Sequence, residues 1–177
     1  QGKPEPGTFG FRGARLTHLA ELLKHGPLVF RRNTDSGVLD GDLDEFMEKL
    51  AARARKMTAG DPLDPKTRYG ALASKKQLET VQRYVEVARK EGASLVAGGG
   101  RADIGTGKGY FLQPTVFDGV TPEMTIAREE IFGPVLATIE FGDLDEAIAR
   151  ANDSTYGLAA AVWTRDIKKA HYVARKL

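Results

Sequence analysis

The order of apolar runs and helix starts after Val135 restricts this chain to few folds. Val135-Leu136-Ala137-Thr138-Ile139-Glu140-Phe141 is an apolar run of strand length. Asp143 then stands three residues before Glu146 as a capping box, and Leu144, Ala147, Ile148 and Ala151 follow at helical spacing. Residues 158–163 form a second continuous apolar run, and Asp166 caps a last helix through Ile167, Ala170, Ala174 and Leu177, with His171 as a partly exposed helix residue. Strand, helix, strand, helix predicts a right-handed βαβ crossover in which residues 158–163 form a central parallel strand covered on both faces. The predicted class is α/β, an open, largely parallel sheet with flanking helices.

Upstream, Asp42 with Glu45 is another capping box. Leu43, Phe46, Met47, Leu50, Ala51, Ala54 and Met57 recur at i, i+3, i+4, i+7 spacing and predict a helix to about Met57. Gly60-Asp61-Pro62-Leu63-Asp64-Pro65 stops it. Ser74 with Gln77 starts a second helix on the stripe Leu78, Val81, Val85 and Ala88, which Gly92 ends, and residues 93–97 read as a short strand. Residues 1–42 form a separate, partly looped segment ahead of the domain at 43–177. Within them, residues 1–15 are loop-like, Thr17 caps a short helix with Leu19, Leu22 and Leu23, Leu28-Val29-Phe30 is a brief strand, and Asn33-Thr34-Asp35-Ser36-Gly37 is a turn.

Several functions are excluded by what the chain contains. A formal charge of +2, with Lys and Arg alternating with Asp and Glu, gives a solvated surface and no basic stripe with interleaved aromatics for nucleic acid. No apolar run approaches the roughly twenty residues that span a bilayer, and Gln1-Gly2-Lys3-Pro4-Glu5-Pro6 lacks the apolar centre of a signal peptide, so a cytoplasmic setting is expected. There is no cysteine, hence no disulfide, thiolate ligand or thiol nucleophile. His18 and His25 have no carboxylate or thiol partners at ligand spacing, so no metal site is expected. The glycines at 98–100 and 105–109 fail the phosphate-loop pattern, because Ala102 and Gly109 stand where it needs glycine and Ser or Thr. They also fail the dinucleotide fingerprint, because the strand-like stretch 110–117, interrupted by Pro114, follows them. A flexible surface loop is expected there.

The stretch with the most chemical content is Glu129-Glu130-Ile131-Phe132-Gly133-Pro134-Val135, preceded by Met124-Thr125-Ile126-Ala127-Arg128. Two carboxylates run into an aromatic ring, a glycine that permits close approach, and a proline that fixes φ at the strand entrance. A carboxylate and a phenyl ring two residues apart can hold a pair of sugar hydroxyls and a flat heteroaromatic ring. Read from the residues alone, the carboxylates can equally be solvated and Phe132 part of the core. This stretch resembles the cofactor-contacting segment of the NAD(P)-dependent aldehyde dehydrogenase superfamily. Gly60-Asp61-Pro62-Leu63-Asp64-Pro65, Gly109-Tyr110-Phe111-Leu112-Gln113-Pro114-Thr115-Val116 and the stretch from Ala151-Asn152-Asp153-Ser154-Thr155-Tyr156-Gly157-Leu158 to Thr164 resemble the same family in the same order. The resemblance covers about residues 43–177, the back part of the catalytic domain. Ala71 departs from it, standing where proline is usual.

The resemblance implies oxidation of an aldehyde to a carboxylic acid with NAD or NADP. By position, Glu130 would hydrogen-bond the nicotinamide ribose hydroxyls and Phe132 would pack near the nicotinamide ring. It assigns no catalytic residue to this chain. The family's cysteine nucleophile precedes the helix matching Leu43 to Met57, and here Arg31-Arg32-Asn33-Thr34-Asp35-Ser36-Gly37 stand at that place; Ser36 has no neighbouring base to activate it. The general base and the dinucleotide-binding half belong further upstream. The expectation is a portion of an aldehyde dehydrogenase, inactive as this chain alone, that meets a complementary chain or self-associates through uncovered apolar sheet surface. The alternative is a non-catalytic α/β scaffold or interaction module.

Overall fold

The computed structural model describes residues 28–32, 43–158, 160–162, 164 and 166–177. The helix at Thr17, the histidines at 18 and 25, the turn containing Ser36, and Asp42 with the side chain of its capping partner Glu45 lie outside what is described. Four strands, β1 (Leu28–Arg32), β2 (Ser94–Ala97), β3 (Thr115–Asp118) and β4 (Val135–Phe141), form one sheet in the order β1-β4-β3-β2. β4 pairs in parallel with β1, Leu28 opposite Ala137, and with β3, Val116 opposite Leu136; β2 runs antiparallel to β3. The sheet is open and largely parallel, as expected. Its helices are α1 (Leu43–Arg55), α2 (Lys75–Lys90), α3 (Thr125–Arg128), α4 (Leu144–Asn152) and α5 (Ile167–Lys176). None among the described residues is long and apolar enough to cross a membrane.

β4 is central because alternate side chains enter two different cores. Val135, Ala137 and Ile139 pack with Val81, Val85 and Leu78 of α2, whereas Leu136 packs on the other face with Met47, Leu50 and Ala51 of α1. β3 follows the same alternation, Phe117 on the α2 side and Val116 on the α1 side. A strand covered on both faces reads as an almost unbroken apolar run. The buried exception, Thr138, is satisfied by the Phe117 carbonyl at 3.0 Å and the Asp118 carboxylate at 2.7 Å.

The caps read in the sequence form, with variations. The Gln77 N–H donates to Ser74 Oγ at 3.1 Å, and Gly92, at φ 97°, follows the end of α2. The Glu146 N–H donates to Asp143 Oδ1, and Glu146 Oε2 accepts from the Gly142 N–H, one residue before the expected return partner. Asp166 accepts from the Lys168 and Lys169 N–H groups and starts α5.

Two expectations fail. Among the described residues of the run 158–163, Leu158, Ala160, Ala161 and Val162 are in no strand, and Leu158 is 54% exposed. Both edges of β4 are taken by β1 and β3, so the run cannot join β4 directly. Among the described residues the expected crossover strand is not formed. The glycine run is also not simply a surface loop. The Gly99 N–H donates to Thr115 Oγ1, the Gln113 N–H donates to the Gly100 carbonyl, and a Cβ at Gly98 would lie 2.2 Å from the Pro114 carbonyl oxygen. Its base at 98–100 is packed against the entrance to β3, whereas Arg101, Asp103 and residues 105–110 are exposed.

Candidate functional site: the turn ahead of the central strand

The segment from Thr125 to Val135 carries the chain from α3 into β4. α3 is a single turn whose N-cap residue, Met124, makes no side-chain cap. The missing acceptor comes from the end of α2: the Glu91 carboxylate accepts from the Thr125 N–H at 2.8 Å and from its hydroxyl at 2.5 Å. Glu129 then turns extended, at φ −112° and ψ 144°. The Gly133 N–H donates back to the Ile131 carbonyl and the Val135 N–H to the Gly133 carbonyl, two successive γ-turn closures centred on Phe132 and Pro134.

These closures divide the side chains. Ile131 points into the core at 3% exposure, and Gly133 is buried because Val81 Cγ2 would stand 2.6 Å from any Cβ added to it. Phe132, between them, is 61% exposed. It is thus not the core residue that its chemistry alone allows.

The two adjacent carboxylates have different surroundings. Glu129 Oε2 accepts from the Tyr84 hydroxyl at 2.6 Å, and that hydrogen bond, with burial and the nearby negative charge, raises the Tyr84 phenol above its ordinary value. Glu130 is half-buried; its N–H donates to the Tyr156 hydroxyl at 3.4 Å, and among the described residues its carboxylate has no partner. A carboxylate with unused lone pairs accepts hydrogen bonds from a diol, and an uncovered ring offers a face to a flat heterocycle.

Sequence reasoning named Glu130 and Phe132 and missed Gln77, Tyr84 and Glu91, which hold the segment. Tyr156 lay inside a quoted motif without a role. Gln77 carried a signal, as the third residue of a capping box, but its amide is used elsewhere: Nε2 donates to the Phe132 carbonyl at 2.7 Å. Two cavities lie elsewhere, one lined by Lys168, Lys169, Tyr172 and Arg175 of α5, the other between residues 154–162 and α5. Neither is lined by Glu130 or Phe132, although Tyr156 reaches the second. No group of three or more His, Cys, Asp or Glu among the described residues is placed to hold a metal ion.

Residues 38–177 match the model of the aldehyde dehydrogenase family. A betaine aldehyde dehydrogenase of Rhizobium leguminosarum is 52% identical over 133 residues, 75% of this chain and 27% of that protein. The NAD+ complex of an aldehyde dehydrogenase from Bacillus cereus superposes with a TM-score of 0.71 at 48% identity, over 76% of this chain and 27% of that one. An NAD-dependent aldehyde dehydrogenase from Sinorhizobium meliloti gives a TM-score of 0.80 at 37% identity, over 93% of this chain and 32% of that one. The chain belongs to the aldehyde dehydrogenase family, whose members act on aldehydes, and it spans about a quarter of the length of the curated relatives it matches.

Proposed function

We propose that this chain supplies the nicotinamide-facing part of an NAD(P)-dependent aldehyde dehydrogenase. The observation that carries this is the pairing, on one fixed turn, of an exposed Phe132 with a Glu130 carboxylate that has no partner among the described residues. The chemistry NAD(P) supplies when bound is acceptance of a hydride. Glu130 accepts hydrogen bonds from the ribose hydroxyls, and Phe132 packs against the nicotinamide ring. Glu129 is instead tied to α2 through the Tyr84 hydroxyl on its Oε2. With no cysteine, the chain has no thiolate to attack an aldehyde, so it positions the hydride acceptor and forms no bond to substrate itself.

On this reading residues 43–177 are the catalytic-domain portion, and Leu28–Arg32 of the segment ahead of it adds β1 to the same sheet beside β4. The nucleophile is supplied from outside these 177 residues, and the setting is the cytoplasm. The exposed Leu158, Ile167 and Leu177 belong to the contact surface with a complementary polypeptide or with another copy of the chain. The alternative, a non-catalytic α/β module, is favoured by one observation: neither of the two cavities meets Glu130 or Phe132. Reconstitution separates the two. The pure chain gives no aldehyde-dependent NADH. Mixed with an upstream polypeptide that carries a cysteine and a dinucleotide fold, it gives turnover that Glu130→Ala lowers by at least tenfold. Absence of turnover from a folded, complete assembly would leave the module.

A further inference from the structure

One face of α2 meets the site segment at every point where that segment changes course. Glu91, just after the helix, caps α3 at Thr125; Tyr84 holds Glu129, where the chain turns extended; Gln77 holds the Phe132 carbonyl at the apex of the first γ-turn. The three residues are seven apart, two helical turns each, and therefore lie on one face. Their partners run in the opposite order, 125, 129, 132, so the segment lies antiparallel to the helix. Between Gln77 and Tyr84 the lengths agree: seven residues of helix rise about 10.5 Å, and the three steps from Glu129 to Phe132 span about 10 Å. Val81, between Gln77 and Tyr84, presses on Gly133.

We propose that Gln77 and Tyr84 are positioning residues that fix which carboxylate of the Glu129-Glu130 pair is presented and hold Phe132 outward. The proposal rests on the reading of Glu130 and Phe132 as nucleotide contacts only for its consequence, not for its geometry. Tyr84 captures Glu129, and an extended chain sends the next side chain the other way, which leaves Glu130 free. Gln77 holds the peptide after Phe132, so the ring cannot rotate into the core without breaking that hydrogen bond. Neither residue touches the ligand in this scheme.

The test uses the full 177-residue chain, Gln77→Leu and Tyr84→Phe, and amide exchange followed by NMR. Both variants are expected to speed exchange at Glu130 and Gly133 at least tenfold while Leu136 and Ile139 in β4 keep their protection. Wild-type rates at Glu130 and Gly133 would overturn the proposal, as would uniform acceleration through β4, which would mean a role in folding alone. Labelled tyrosine gives a second readout. Tyr84 ionises above the ordinary value in the parent and returns toward it in Glu129→Ala; no movement there would remove the Tyr84 clamp. Its raised value means the clamp is fully present below the ordinary tyrosine range and is lost as pH rises through the shifted value. Adding nicotinamide mononucleotide separates this proposal from the functional one. Exchange that responds to the variants, in a chain whose turn resonances ignore the nucleotide, would support the clamp and count against the cofactor contact.

Discussion

Val135–Phe141 and residues 158–163 read alike in the sequence, as apolar runs of strand length, yet among the described residues only the first is in a strand. β4 has helices over both faces and strands on both edges, so six of its seven residues are buried. In the second run Leu158, Ala160 and Ala161 are exposed and Val162 is half-buried. An apolar run needs a free strand edge to satisfy its backbone groups and a covering layer to take its side chains. With β1 and β3 on β4, the second run has no edge of β4 to join, and its alanines bring little apolar area to drive burial elsewhere.

That contrast breaks most directly under truncation. Leu136→Ala removes a 1% exposed side chain between β3, β4 and α1, and should cost about 2–5 kcal/mol. Leu158→Ala should stay within about 0.5 kcal/mol. Urea unfolding of both variants measures the difference; equal losses would mean that the second run is buried in solution. A smaller effect sharpens the boundary of the well-packed region. Gly133→Ala drives a Cβ into Val81 and should cost about 1–3 kcal/mol. Val81→Ala in the same background should return part of that loss, because neighbours in contact do not add independently. Full additivity of the pair would show that the turn is not seated on α2.

What could be read in advance follows range. The helices at 75–90, 144–152 and 167–176 were legible because Ser74, Asp143 and Asp166 cap locally, within three residues of the amides they serve. β4 was legible because burial on both faces leaves an apolar run. The site was legible only in part. Glu130 and Phe132 came from a resemblance, and nothing local tells which carboxylate of the pair is free. Tyr84 meets Glu129 across 45 residues and Gln77 meets Phe132 across 55, distances at which spacing carries no information. Gln77 even pointed elsewhere, to the return bond of its own capping box. The failure at 158–163 has the same cause: strand formation there depends on whether a distant segment has already taken the edge.

On this account a half-buried Glu130 carboxylate and an exposed Phe132 ring are held ready for a nicotinamide nucleotide. Charge-assisted hydrogen bonds contribute about 1.5–3 kcal/mol, and one stacked ring adds about 0.5–1.5 kcal/mol. Together these give about 2–4.5 kcal/mol, a dissociation constant on the order of 1 mM at the favourable end for this portion alone. Calorimetric titration of the full chain with NAD(P) should detect binding of that order. Glu130→Ala and Phe132→Ala should each weaken it severalfold and leave unfolding within about 0.5 kcal/mol of the parent. No heat at millimolar nucleotide, or equal heat from the parent and both variants, would contradict the account.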